Sequence, residues 1–240
     1  AAQPAVKAAF EQLRAGEARQ RDELIALTEI PAPPFKEQAR ARRFAEMLRE
    51  AGLEDVLIDE VGNVIGRRPG TGSGEHGDKR IAYAAHLDTV FPEGTDVTVR
   101  EKDGRLYAPG IGDNTRGLVT VLAVLRALEH ADIDTQAEVL FIGNVGEEGL
   151  GDLRGVKHLF RDGAEPIDSF IAVDGGNVDR LVYAGVGSHR YRVTFEGPGG
   201  HSWGAFGLAN PAHAMGRAIA LLDERAPAVT TVGEKTSYNI

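Results

Sequence analysis

"RIAYAAHLDTV", residues 80–90, decides the fold. Its apolar run is continuous rather than alternating. Such a run reads as a strand buried on both faces, the kind found inside parallel sheets. It finishes in His86 and Asp88. Residues two apart in a strand share a face. The imidazole and the carboxylate therefore stand side by side, where a metal, a proton relay or an ordinary hydrogen bond could each use them.

Two further runs have the same character. "AEVLFIGNV" (137–145) leads into "GEEGLGDLRG", which carries Glu147 and Glu148, and "SFIAVDGG" (169–176) reaches Asp174. A helix that is apolar almost all round, "LVTVLAVLRALEHA" (118–131), lies between the first two strands, and a short helix holding "VKHLF" (156–160) lies between the last two. Strands alternating with helices imply right-handed crossovers and a mainly parallel sheet. The expected fold class is α/β, a three-layer, mostly parallel sheet with helices on both faces.

Upstream, residues 4–29 read as one or two amphipathic helices, stopped by "IPAPPF" (30–35) because proline lacks the donor a helix needs. "KEQARARRFAEMLREAG" (36–52) reads as a helix capped by Gly52, and 55–70 as two short strands around a Gly-Asn turn. "GTGSGEHGDK" (70–79) is a surface loop in which His76 is solvated, and "GRLYAPGIGDNTRG" (104–117) is a Gly-rich loop carrying Asp113. Beyond residue 180 the pattern changes. "RLVYAGVGSHRYRVTFEG" (180–197) alternates and reads as antiparallel strands with one wet face. "NPAHAMGRAIALLDERA" (210–226) reads as a helix with Asn210 as N-cap and Pro211 in its first turn, and "TSYNI" (236–240) as the start of a strand. Two domains are expected, 1–179 and 180–240.

The chain has 240 residues and a net charge of −9, with no basic block to offset it. Nucleic acid and anionic membrane surfaces are therefore unsuitable partners. No apolar stretch approaches the ~18 residues that span a bilayer. There are no cysteines, so any metal must sit on His, Asp and Glu. "AAQPAV" resembles the mature end left by signal-peptide cleavage, which points to an exported, periplasmic protein, with a cytoplasmic one as the alternative.

In open parallel sheets, ligands sit just beyond the carboxyl ends of the strands. His86, Asp88, Glu147, Glu148 and Asp174 all fall there, and Asp113 opens a helix nearby. Taken singly, each is ordinary: a polar strand end, surface charge, turn chemistry. Together, converging carboxylates repel unless protons or a cation neutralise them. A pair of divalent metals does so with carboxylate and imidazole ligands.

"HLDTV", "GIGDNTRG", "EEGLG" and the Asp of "VDGG", in this order and spacing, resemble the M20 family of co-catalytic zinc peptidases and amidases. "LIALTEIPAPP" resembles that family's N-terminal helix and loop. The resemblance implies that His86 and Asp174 hold one metal, Asp113 bridges both, and Glu148 holds the second. It implies that Asp88 stands behind His86 and fixes its orientation, that Glu147 is the general base, and that the Asp113–Asn114 peptide is a candidate cis bond. The metals would be two divalent ions, zinc first, with cobalt or manganese possible. Residues from 180 onward resemble the family's inserted α+β lid, which often dimerises, and "GPGGHSW" resembles the lid loop whose histidine, here His201, stabilises the tetrahedral intermediate. His189 and His213 match no family site.

The family's fifth ligand is a histidine that follows the lid, and the sequence stops inside the lid. The expectation is therefore a C-terminally truncated chain, weak at the second metal and with little turnover alone. The implied function of the full protein is exopeptidase action on short peptides. N-acyl amino acid deacylation is the next reading. A non-catalytic protein that assembles through its lid and a dinuclear phosphoesterase are the competitors from other classes.

Overall fold

The computed structural model describes residues 3–74, 79–175, 179–185, 187–230 and 236–240. The chain divides into two compact units, Ala1–Val178 and Asp179–Ile240. The first unit begins with helices α1 (Pro4–Ala15), α2 (Glu17–Thr28) and α3 (Gln38–Glu50). Strands β1 (Asp55–Ile58), β2 (Val64–Arg68), β3 (Arg80–His86), β4 (Arg100–Lys102) and β5 (Arg105–Tyr107) follow. Then come α4 (Arg116–His130), β6 (Glu138–Asn144), α5 (Arg154–Leu159) and β7 (Ser169–Ala172).

The main sheet has the order β1-β2-β6-β3-β7. Strands β6, β3 and β7 run parallel, with His86 opposite Asn144 and Ala84 opposite Ala172, and β7 ends the order. The β1–β2 hairpin joins antiparallel at one edge. The mainly parallel core is as expected from the apolar runs, with an antiparallel margin. Period-two alternation separates the layers. Ala85, Leu87, Val139 and Phe141 pack against Leu27, Phe44, Leu48, Leu118 and Leu122 of α2, α3 and α4. On the other face, Ala82, Ala84, Leu140 and Ile142 meet Leu159 of α5. Helices therefore cover both faces, thickly on one and thinly on the other.

Three segments depart from the sequence expectation. Residues 104–117 are not all loop: Arg105–Tyr107 pairs with Arg100–Lys102 in a small antiparallel hairpin. Its turn is Asp103-Gly104, both at positive φ (52° and 70°), the backbone that two-residue hairpin turns require. Over 180–197, no described residue forms a strand. Alternation earns a strand only where a neighbour completes the ladder, and Tyr183, Tyr191 and Val193 stand exposed. In 236–240, only Thr236 makes a bridge. His76 lies outside the described residues. The second unit does form the expected helix, α6 (Pro211–Arg225), and the Asn210 side chain accepts from the Ala212 and His213 amides.

Candidate metal centre and active site

Strand β3 delivers His86 at its last position, buried to 3% exposure. Its Nδ1 lies 2.9 Å from the backbone oxygen of Asp88. A carbonyl only accepts, so Nδ1 carries the proton. Nε2 then points at Asp113 Oδ1, 2.9 Å away, and Asp174 Oδ1, 3.6 Å away. A neutral imidazole would aim a lone pair at carboxylate lone pairs there. Only a proton or a cation between them makes the arrangement favourable.

Asp88 is fully buried, and its carboxylate lies 3.7 Å from His86 Nδ1. Its direct hydrogen bonds go elsewhere: Oδ1 accepts from the Glu147 amide at 3.1 Å and Oδ2 from the Glu148 amide at 2.8 Å. Asp88 thus contributes its backbone oxygen to the imidazole and its side chain to the two glutamates, tying the end of β3 to the end of β6. Asp113 precedes α4 and enters a cis peptide with Asn114. The buried Asn114 amide donates to Val173 O at 2.8 Å, linking the Asp113 turn to the segment that carries Asp174.

One nitrogen or oxygen from each of His86, Asp113 and Asp174 lies within 4.8 Å of the others, and the same holds for His86, Glu147 and Glu148. Asp113 and Asp174 are more than half exposed, so the cluster opens to solvent. The structure therefore brings together all six strand-end and loop residues expected from sequence. Asp113 and Glu148 fall in different clusters, joined through His86. The donor set, imidazole and carboxylate without thiolate, fits hard-to-borderline divalent ions. The chemistry of the Nε2 contact and the crowding of acids fit a cation as well.

The electrostatics follow from that crowding. Burial and the carboxylates of Asp174, Asp88 and Asp113 push Glu147 up, with His86 opposing. Burial, then Glu147 and Asp113, do the same for Glu148. The nearby His86 imidazole leads in holding Asp174 down. For His86, burial disfavours the charged form, but Asp174 and Asp88 outweigh it and raise its pKa from 6.5 to about 10. A raised folded-state value stabilises the metal-free protein fully below pH 6.5 and is lost as pH climbs through about 10. The melting temperature of chelator-treated protein is expected to fall across that window, and a rise there would contradict the assignment.

Sequence inspection missed the supports. Arg40 is 1% exposed. Its guanidinium donates to Ile30 O at 3.0 and 2.6 Å, Leu87 O at 2.9 Å and Thr28 O at 3.3 Å. Burial lowers its pKa to about 10, with Asp88 pulling the other way. Glu37, 2% exposed, pairs with Arg154. Arg40 falls on the apolar stripe of α3 with Ala41, Phe44 and Leu48, Glu37 continues that spacing from the N-cap position, and charge on such a stripe was the available signal. Asn63, in the hairpin turn, accepts from the Val145 amide and donates to Gly155 O, closing the loop after Glu148. Gly117 leaves room for Asn114: an added methyl would overlap Asn114 Oδ1 and come to 2.8 Å from Val173 O. Gly117→Ala is expected to destabilise the fold by about 1–3 kcal/mol, read as a lower melting temperature. No change would mean the Asn114 link is slack.

In the second unit, His201 Nδ1 accepts from the Trp203 and Gly204 amides, both at 3.3 Å. The ring organises its own turn. His189 stacks near Tyr191 with centroids 6.5 Å apart, and His213 sits in the first turn of α6.

The chain belongs to peptidase family M20/M25/M40, whose profile matches residues 82–234. It is 34% identical to a putative LysW-lysine/LysW-ornithine hydrolase of Thermococcus kodakarensis over 136 residues, 57% of this chain and 34% of that protein. A Pyrococcus abyssi protein of the same description is 37% identical over 127 residues, 53% of this chain and 33% of that protein. The chain spans about a third of the length of these curated relatives. Among solved structures, aminopeptidase PepT of Bacillus cereus superposes with a TM-score of 0.56 at 26% identity, over 67% of this chain and 44% of that one. The di-peptidase Dug1p of Saccharomyces cerevisiae gives 0.59 at 17% identity, over 87% and 50%, a likeness of fold.

Proposed function

We propose that the protein is a metal-dependent amide hydrolase acting on short peptides from one end, with Glu147 as general base. The observation that carries this reading is the Asp88 clamp. It fixes the Glu147–Glu148 backbone beside His86, Asp113 and Asp174. His86, Asp174 and Asp113 would hold one divalent ion, and Asp113 with Glu148 a second. Such ions supply the Lewis acidity that brings water into its nucleophilic form near neutral pH. The raised pKa of Glu147 suits it to take a proton from the attacking water and hold it on its carboxylate. The same oxygen then delivers that proton to the leaving nitrogen as the C–N bond breaks. Glu147 ends as it began, and water is divided between acid and amine.

Family membership and the likeness to an aminopeptidase favour peptides. N-acyl amino acid deacylation is the second reading, because the same atoms hydrolyse any accessible amide. We further propose that the second unit is the lid and mediates a homodimer. Met215, Ile219 and Leu222 form one exposed apolar row on α6 at helical spacing. His201 would enter a substrate site from that unit.

A panel of di- and tripeptides, N-acyl amino acids and a phosphate monoester, each with zinc, cobalt, manganese or chelator, tests the reading. Chelator-sensitive release of amino acids from peptides is expected. Phosphate release without amide cleavage, or amide cleavage indifferent to chelator, would overturn it.

A further inference from the structure

The Glu37–Arg154 pair has no part in the chemistry above, yet it joins a buried carboxylate to a partly buried guanidinium seven residues after the base. Glu37 precedes α3, and Arg154 opens α5, 117 positions away. Arg154 Nη2 donates to both carboxylate oxygens, at 2.8 and 2.7 Å. Glu37 Oε1 also accepts the Phe35 amide at 3.0 Å, and the guanidinium lies 4.7 Å from the centre of the Phe35 ring. That end of the pair is therefore anchored to the Pro-rich loop. The other end lies against Gly146, the residue before Glu147. A methyl added there would overlap Arg154 Nη1, come to 2.8 Å from its Cγ and reach Gly151 O at 3.0 Å. Gly146 sits at φ +68°, in the region that favours glycine. Nη1 is buried and has no hydrogen-bond partner among the described residues. The arginine is thus held by Glu37 in a position that gives its own hydrogen bonding incomplete satisfaction.

An ion pair kept only for stability is a poor use of buried charge, since apolar residues of similar volume often serve as well. We propose that Glu37 and Arg154 are positioning residues: the anchored guanidinium wedges the Gly146 turn and sets the Glu147 and Glu148 amides on Asp88. The inference rests on the proposed role of Glu147 in amide hydrolysis.

Two readouts on the full chain test it. The first is amide hydrogen exchange in the metal-free protein. Glu37→Gln keeps the side-chain shape but removes the charge that anchors Arg154. It is expected to speed exchange at Glu147 and Glu148 by about tenfold or more, with Leu140–Ile142 in β6 unchanged. The double variant Glu37→Leu/Arg154→Met restores apolar packing without the wedge, and is expected to keep the fold while showing the same local loosening. Unchanged exchange at Glu147 and Glu148, or an equal rise in β6, overturns the proposal. The second readout is kinetic: Glu37→Gln is expected to lower kcat by roughly 10- to 100-fold with KM within about threefold. In a Glu147→Gln background the Glu37 effect should largely vanish. If Glu147→Gln itself leaves turnover intact, the functional reading fails. If Glu147→Gln abolishes turnover while Glu37→Gln leaves kcat and exchange untouched, the positioning proposal alone fails.

Discussion

Glu147→Gln is expected to lower kcat for peptide hydrolysis by about 10³-fold, within the span a positioned proton-transfer group contributes. Glutamine matches glutamate in shape, and the backbone amide that Asp88 holds is unaltered. The substitution therefore removes a proton acceptor and little else. KM should move by less than about threefold, because a group that acts only in the transition state leaves ground-state binding in place. Glu148→Gln, one residue on, should instead weaken metal affinity. The comparison uses two neighbours with the same chemistry, both partly buried. If Glu147→Gln retains more than about a tenth of the wild-type kcat, another group takes the proton.

Asp88→Asn is the larger structural perturbation. The fully buried carboxylate accepts two amide donors, one on each oxygen. An amide has one acceptor oxygen, so its nitrogen must face a backbone N–H. Loss of one charged hydrogen bond and an unsatisfied buried donor together cost about 3 kcal/mol, and a chain of this size should melt roughly 6–12 °C lower. Burial opposes the ionised form of Asp88, but His86 and the Glu148 and Glu147 amides hold its pKa below the usual carboxylate value. A lowered folded-state pKa contributes stability that is complete above about pH 3.9 and is lost as pH falls below it. The variant should therefore lose the share of the acid-side slope of the stability curve that Asp88 supplies. An unchanged melting temperature would show that the clamp contributes nothing.

Much of the site was legible because three apolar strands each stop at a polar residue. The continuous runs at 80–86 and 138–144 are satisfied inside a covered sheet, whereas 169–172, expected to be buried alike, pairs at the end of the sheet order and stays largely exposed; the parallel pairing still places the three carboxyl ends together. The clamp itself was not legible, since nothing in "HLDTV" says that Asp88 faces the glutamate amides rather than the imidazole beside it. Arg40, Glu37 and Arg154 act through contacts between distant segments, of which periodicity records only that charge sits on an apolar stripe. The Asp103-Gly104 turn was a readable local signal, overlooked because glycines dominated the stretch. The 180–197 alternation misled for the opposite reason: strand pattern is a request for a partner, and no described residue answers it.

The most direct test of the proposed metal centre, whose first ion rests on His86, Asp113 and Asp174, is zinc content by elemental analysis, after loading and dialysis, on the chain and on two variants. At least one zinc per chain, retained in Glu147→Gln and lost in Asp113→Ala, is the predicted result. Equal zinc in the chain and in Asp113→Ala would contradict it, because the carboxylate facing His86 Nε2 would then have no share in holding the ion.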